Sequence, residues 1–177
     1  MKYFDITLKT PNHNDMSAIA RRVHGTIKRS GHKYAMGMPT QKNAPYTFNV
    51  LRIFSDSNET VLTFLKLFNK DDKIDISDVV DVPNDYHGEI VQYRYYSLQE
   101  PDGKTKNFKF HQALFEARVE VAESFHYFKY KHANRGGEFN SKHFEEFHDV
   151  GGLNAFDPNN YGLSSKMKQA WLPLVYL

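Results

Sequence analysis

The period of the hydrophobic pattern changes repeatedly over the first 82 residues, and that alternation limits the chain to a mixed α and β fold. From Tyr3 to Lys9, Phe4, Ile6 and Leu8 fall on one face and Asp5, Thr7 and Lys9 on the other, as in a half-buried strand. After "TPNHND", where Asn14 or Asp15 is available as an N-cap, Met16, Ile19, Ala20, Val23 and Ile27 recur at helical spacing until Gly31 ends the run. "KYAMGMP" reads as a short strand ending at Pro39, and "TFNVLRIF" as another beyond the polar loop "TQKNA". "DSNE", Asp56 to Glu59, has the form of a capping box and opens the amphipathic run "TVLTFLKLF"; "KIDISDVVDV" reads as a fourth strand. The fold class expected is therefore α+β. Strand, helix, strand, strand, helix, strand is the split βαβ, ferredoxin-like (βαββαβ) order, assigned here to a first domain over residues 1–85. That arrangement serves many unrelated activities, so it leaves function open.

Residues 86–177 are expected to form a smaller, divergent α/β half. "YHGEIVQYRYYSL" reads as a strand and "EPDGKTKN" as a turn. From Phe108, the spacing of Leu114, Ala117, Val121, Phe125 and Phe128 predicts a long helix reaching toward Lys131, although Phe108 and Phe110 could instead continue a hairpin. "ANRGGEFNS" and "DVGGLNAFDPNNYG" read as loops, and the sequence ends on apolar "WLPLVYL".

Composition narrows the chemistry. With 40% hydrophobic and 15% aromatic residues the chain can bury a core, and without cysteine it can form neither disulfides, thiolate metal sites nor a cysteine nucleophile. No apolar run approaches the ~20 residues of a membrane span, so a soluble, cytoplasmic protein is expected. The net charge is only +2, but its distribution is uneven. Acidic residues gather between Asn69 and Asp85, whereas "ARRVHGTIKRSGHK" contains none. Glycine-rich phosphate loops and a GxSxG elbow are absent. His143 and His148 in "KHFEEFHDVGG" raise a metal reading, but their spacing is not that of HExxH and no set of three ligands is evident.

On a helical wheel His24 stands at the border of the apolar stripe, flanked by Arg21 and Lys28. Neighbouring cations disfavour an imidazolium, and a general base must be neutral.

The order of "MKYFDITLK", "RRVHGTIK … MGMP" and, near the other end, "NNYGLSS" with an apolar tail resembles the subtype I-F CRISPR-associated repeat-RNA endoribonucleases. In that family a first strand leads to a helix bearing the active-site histidine, matched here by His24. A "GVSFP"-type strand follows, matched by Ala35 to Pro39, and a terminal "YGLS" box is matched by Tyr161, Gly162, Leu163 and Ser164. The resemblance covers the first 40 and last 20 residues best. "VPNDYHGEIVQYRYYS" and "NRGGEF" match loosely.

The resemblance implies a metal-independent endoribonuclease that needs no cofactor. Such an enzyme binds a CRISPR repeat stem-loop, cuts at its base by attack of the RNA's own 2′-hydroxyl, and leaves a 2′,3′-cyclic phosphate. It then stays with its product as a subunit of a surveillance complex, so other CRISPR-associated subunits are the expected protein partners. His24 would be the base, Tyr161 would position it or the ribose, and Ser97 is the candidate for the family's ribose-holding serine. Arg21, Lys28 and Arg29 are candidates for the developing phosphate charge. Arg94 could read a guanine edge as a strand arginine does in the family, or equally contact a phosphate or serve only at the surface. The family's arginine-rich groove-binding helix has no counterpart, because residues 111–131 interleave Arg118, Lys129 and Lys131 with Glu116, Glu120 and Glu123. Lys104, Lys106, Lys109, Arg118 and Arg135 would then carry the RNA contacts, with Phe108, Tyr95 or Tyr96 stacking on bases. The rival reading is a noncatalytic subunit that caps an RNA hairpin, or a mimic of the processing enzyme.

Overall fold

Strand β1 (Lys2–Leu8) can sit at the centre of a sheet because both of its faces are buried. The computed structural model describes residues 1–39, 49–131, 139–151, 153 and 156–174 and shows an α+β fold with three helices and two antiparallel sheets. In the first sheet β1 pairs with β3 (Val50–Ser55) on one side and with β4 (Ile74–Ile76) and β5 (Val80–Asp81) on the other. Strand β2 (Ala35–Gly37) adds beyond β3. The expected single strand "KIDISDVVDV" is thus two short ones. Ser77 interrupts the ladder, donating its N–H to the Asp5 carbonyl (3.0 Å) and accepting the Asp5 N–H on its hydroxyl (2.9 Å).

Helix α1 (His13–Ser30) is capped by Asn12, not by Asn14 or Asp15; the Asn12 side chain accepts from both of their N–H groups, at 2.9 and 3.3 Å. Gly31 ends it at φ +71°. Helix α2 (Asn58–Leu67) is capped by Ser57, whose hydroxyl accepts from the Thr60 N–H (3.2 Å), so the cap lies one residue beyond the expected Asp56. Both helices bury their apolar faces against the sheet. Phe4 meets Phe64 at 5.4 Å between ring centres, and the Tyr34 hydroxyl donates to the Thr60 carbonyl at 2.7 Å. The other side of β1 holds a buried ion pair. Arg52 Nε and Nη2 donate to the two Asp5 oxygens at 2.8 and 2.9 Å, and the guanidinium lies 4.3 Å from the centre of the Tyr3 ring. Two charge-assisted bonds offset the desolvation of both ions.

The second half builds its own sheet. Its strands are β6 (Gly88–Tyr96), β7 (His126–Lys131), β8 (Phe139–Gly151) and β9 (Leu172–Pro173), in the spatial order β7-β8-β6-β9. Helix α3 (Phe108–Ala122) stops well short of Lys131. Ser124 and Phe125 donate to the Val121 and Ala122 carbonyls, a tight closing turn, and the aromatic-rich "HYFKYK" that follows is strand. Phe139–Ser141 and Asp149–Gly151, expected in loops, belong to β8; the residues between 131 and 139 lie outside the described set.

One apolar cluster joins the halves. Val91, Tyr93, Phe128, Phe144, Leu163 and Leu172 pack with the interior of the first sheet and α1, and the Tyr93 hydroxyl donates to the Met38 carbonyl at 3.1 Å. Among the described residues no helix is long and apolar enough to cross a membrane.

Candidate functional site

The turn at Asn159–Ser164 is locked by its own sequence. The Asn159 side-chain oxygen accepts from the Tyr161 N–H (2.8 Å) and the Leu163 N–H (3.2 Å), while Gly162 donates to the Asn159 carbonyl (2.9 Å). Gly162 sits at φ +75°, and a Cβ there would lie 3.1 Å from Ile27 Cδ1 of α1 and 3.2 Å from the Tyr34 carbonyl oxygen. Only glycine meets both demands. The turn is fastened on two sides, by Met36 N–H donating to the Gly162 carbonyl (2.7 Å) and Ser164 N–H donating to the Tyr93 carbonyl (2.9 Å). Leu163 anchors it in the core, and the buried Ser164 hydroxyl is engaged with the backbone of Ala170.

This fastening aims Tyr161 at α1. Its side chain is 62% exposed, and its ring meets the half-buried His24 edge to face, 5.7 Å between centres at 76°. Residues 137 positions apart, 24 and 161, are thereby brought into contact. Around the pair opens a cleft of about 680 Å³ whose polar lining includes Lys28, His32, Lys33 and Lys168. Lys33 donates to Asp157 at 2.7 Å, and this bond, helped by the nearby charge of Lys168, holds the Asp157 carboxyl below its ordinary range against a smaller opposing effect of burial. Among the described residues no carboxylate lies within ion-pair distance of Lys28 or Lys168. The cleft is thus lined by an imidazole whose Nε2 is buried, a phenol, and ammonium groups in excess of the Asp157 carboxylate, an arrangement suited to binding an anion and moving a proton beside it.

His32, Lys33 and Lys168 were not singled out in the sequence. The first two stand at the end of the acid-free run that contains His24, which was the available signal. Lys168 reaches the site only through the fold of the second half.

The other candidates divide into groups. Arg21 and Arg29 lie around the far side of α1, in a second cleft of about 710 Å³ with Arg22, Lys73, Asp15 and Asp71. Arg29 there donates to Thr26 Oγ1 (3.1 Å) and the Leu67 carbonyl (3.4 Å). Of the three cations considered for the reacting phosphate, only Lys28 lines the His24 cleft. Arg94 packs over the Phe147 ring at 4.5 Å and bridges through its backbone to Ser164, next to the turn but outside the cleft lining. Ser97 stands exposed after β6, its carbonyl accepting from Arg118 at 2.8 Å, and it does not line the cleft either. Lys104, Lys106, Phe108 and Lys109 are exposed along the turn and the first residues of α3, the helix that also carries Arg118. Of the proposed stacking rings, Tyr96 is occupied by Phe125 at 5.1 Å, whereas Tyr95 and Phe108 are exposed. Arg135 lies outside the described residues. Helix α3 buries only Ala122 and exposes Phe110, Leu114 and Val121, an apolar stripe rather than a basic one. His148 pairs with Glu146 at 3.2 Å, and among the described residues no three potential metal ligands converge.

No family model and no curated protein matches the chain.

Proposed function

We propose that the protein is a CRISPR RNA-processing endoribonuclease of the subtype I-F kind, binding the repeat stem-loop and cleaving at its base. The observation that carries this reading is the approach of Tyr161, in the YGLS turn, to His24 on α1, in a cleft with surplus positive charge. The element order β1-α1-β2-β3-α2-β4 and the spatial order β4-β1-β3-β2 support the ferredoxin-like assignment of residues 1–85. Residues 86–177 then form the RNA-recognition half.

In the reaction, neutral His24 removes the proton of the 2′-hydroxyl as its oxygen bonds to phosphorus. The bond from phosphorus to the 5′-oxygen breaks, that oxygen takes up a proton from solvent water to leave as a hydroxyl, and a 2′,3′-cyclic phosphate remains. Lys28 and Lys168, which line the same cleft, would offset charge on the phosphoryl oxygens. Tyr161 limits the orientations open to the imidazole. Binding would continue over Lys104, Lys106, Phe108, Lys109, Arg118 and Arg135, with Arg94 close to the turn, and the product-bound protein would join a surveillance complex in the cytoplasm. Ser97, exposed after β6, stands outside the cleft lining and is kept only as the family-based candidate for holding the ribose.

The test is incubation of the repeat hairpin from the source genome in EDTA, with product ends identified. Cutting that yields a cyclic phosphate and stops when the scissile ribose is 2′-deoxy supports the reading. A requirement for divalent metal, or cleavage of the 2′-deoxy substrate, sinks it. The second reading, a noncatalytic hairpin-capping subunit, is favoured by the apolar stripe of α3, and binding without cutting would decide for it.

A further inference from the structure

Gly25 occupies a position that the packing of α1 does not reserve for glycine. A glycine inside a helix lowers its stability relative to alanine. Here a Cβ would meet only Arg29 Nη1, at an ordinary 3.6 Å, so no close contact excludes a side chain. At about 100° per residue, Gly25 lies on the crest of α1 opposite the buried stripe of Met16, Ala20, Val23 and Ile27. Among the described residues it is also the one that lines both clefts, the His24 cleft on one side of the crest and the Arg21–Arg29 cleft on the other. The two depressions therefore meet over a residue with no side chain of its own, with the Arg29 guanidinium beside it.

The second cleft has the charge to receive a polyanion. Asp15 and Asp71 are paired with Lys73 (3.1 Å) and Arg22 (2.7 Å), which leaves Arg21 and Arg29 as its positive excess. Among the described residues its lining contains no aromatic side chain, so contacts there would be made to phosphates and not to stacked bases.

We infer that the single strand downstream of the scissile phosphate crosses α1 at Gly25 and continues into the second cleft, where Arg21 and Arg29 hold its phosphates. This inference rests on the proposed endonuclease reading, which places the stem on one side of the reacting phosphate and unpaired RNA on the other. The track recognises backbone charge, so its grip is independent of base sequence and weakens with salt.

The test compares binding of two uncleavable RNAs, the repeat hairpin with a 2′-deoxy scissile ribose, and the same hairpin extended by eight downstream uridines. Proteins are the wild type, Gly25→Gln, which fills the crossing, and the double variant Arg21→Ser/Arg29→Ser. The extension is expected to tighten wild-type binding by about five-fold or more at low salt, with a steeper salt dependence. Both variants are expected to lose that increment, read as the ratio of the two affinities within each protein so that any effect of Gly25→Gln on the His24 cleft itself cancels. Gly25→Gln should unfold at or above the wild-type temperature, since it replaces a helical glycine, and the double variant somewhat below it, having lost the Arg29 bonds to Thr26 and the Leu67 carbonyl. Equal wild-type affinity for the two RNAs, or an increment that survives both variants, overturns the inference and leaves the nuclease reading intact. If neither hairpin is bound, the nuclease reading fails, and a free uridine octamer decides for the track. Octamer binding weakened by Gly25→Gln retains a single-strand track, and binding indifferent to it, or absent from the wild type, removes that too.

Discussion

Helices α1 and α3 both carry mixed charge and apolar side chains, yet they stand in opposite relations to the core. Helix α1 buries Met16, Ile19, Ala20, Val23 and Ile27 and is gripped at its end by the turn carrying Tyr161. Helix α3 buries Ala122 alone and leaves Phe110, Leu114 and Val121 facing outward. The difference teaches that position in the fold, more than local composition, decides which helix can hold a reacting group. A base must be fixed relative to its substrate, and fixity comes from packing on several sides.

Removing core volume should separate the helices most. Ile19→Ala, truncating a buried side chain of α1, is expected to cost about 2–4 kcal/mol in chemical denaturation, whereas Leu114→Ala in α3 should change stability by less than about 0.5 kcal/mol. Similar losses from the two would erase the contrast. Next in size is the grip on α1. Gly162→Ala imposes a positive φ on alanine and a contact with Ile27 and Tyr34, so about 1–3 kcal/mol of stability should go, together with cleavage activity. A smaller effect belongs to the start of the helix, where Asn12→Ala should cost about 1 kcal/mol and leave hairpin binding unchanged.

The smallest expected effect concerns pH. Because Lys33 lowers the Asp157 pKa in the folded protein, the pair's contribution is present above the unfolded carboxylate pKa and is lost as pH falls through the lower folded value. Carboxyl-resolved NMR titration should find Asp157 titrating at lower pH than an ordinary aspartate, and Lys33→Ala should move it back up. No movement would remove Lys33 as the cause.

The legibility of the sequence follows the same division. Phe4, Ile6 and Leu8 alternate because β1 has one strongly apolar face, and Met16 through Ile27 keep helical spacing because α1 lies flat on the sheet. Both patterns are imposed by burial, so both could be read. In the second half, Phe125 and Phe128 continue the helical spacing of Leu114, Ala117 and Val121 by coincidence, and Phe128 is instead buried from a strand against Phe144. Strand β8 hid because its apolar residues Phe139, Phe144, Phe147 and Val150 follow no period of two and its flanks are rich in Gly, Asn and Asp. The caps lie one to three residues from the expected positions because several adjacent polar side chains could each have capped, and only backbone geometry selected Asn12 and Ser57. At the candidate site, the meeting of His24 with Tyr161 was expected from the family resemblance alone. His32, Lys33 and Lys168 depended on how the chain returns to the end of α1, which no local pattern records.

The most direct measurement is the single-turnover cleavage rate of the repeat hairpin by the wild type and by His24→Ala, with the dissociation constant followed in parallel. The account predicts that the substitution lowers the rate by about 10²–10⁴-fold while the affinity stays within about three-fold, as expected for a group that acts on the 2′-proton and not on the bound RNA as a whole. Retention of most of the cleavage rate by His24→Ala would contradict it.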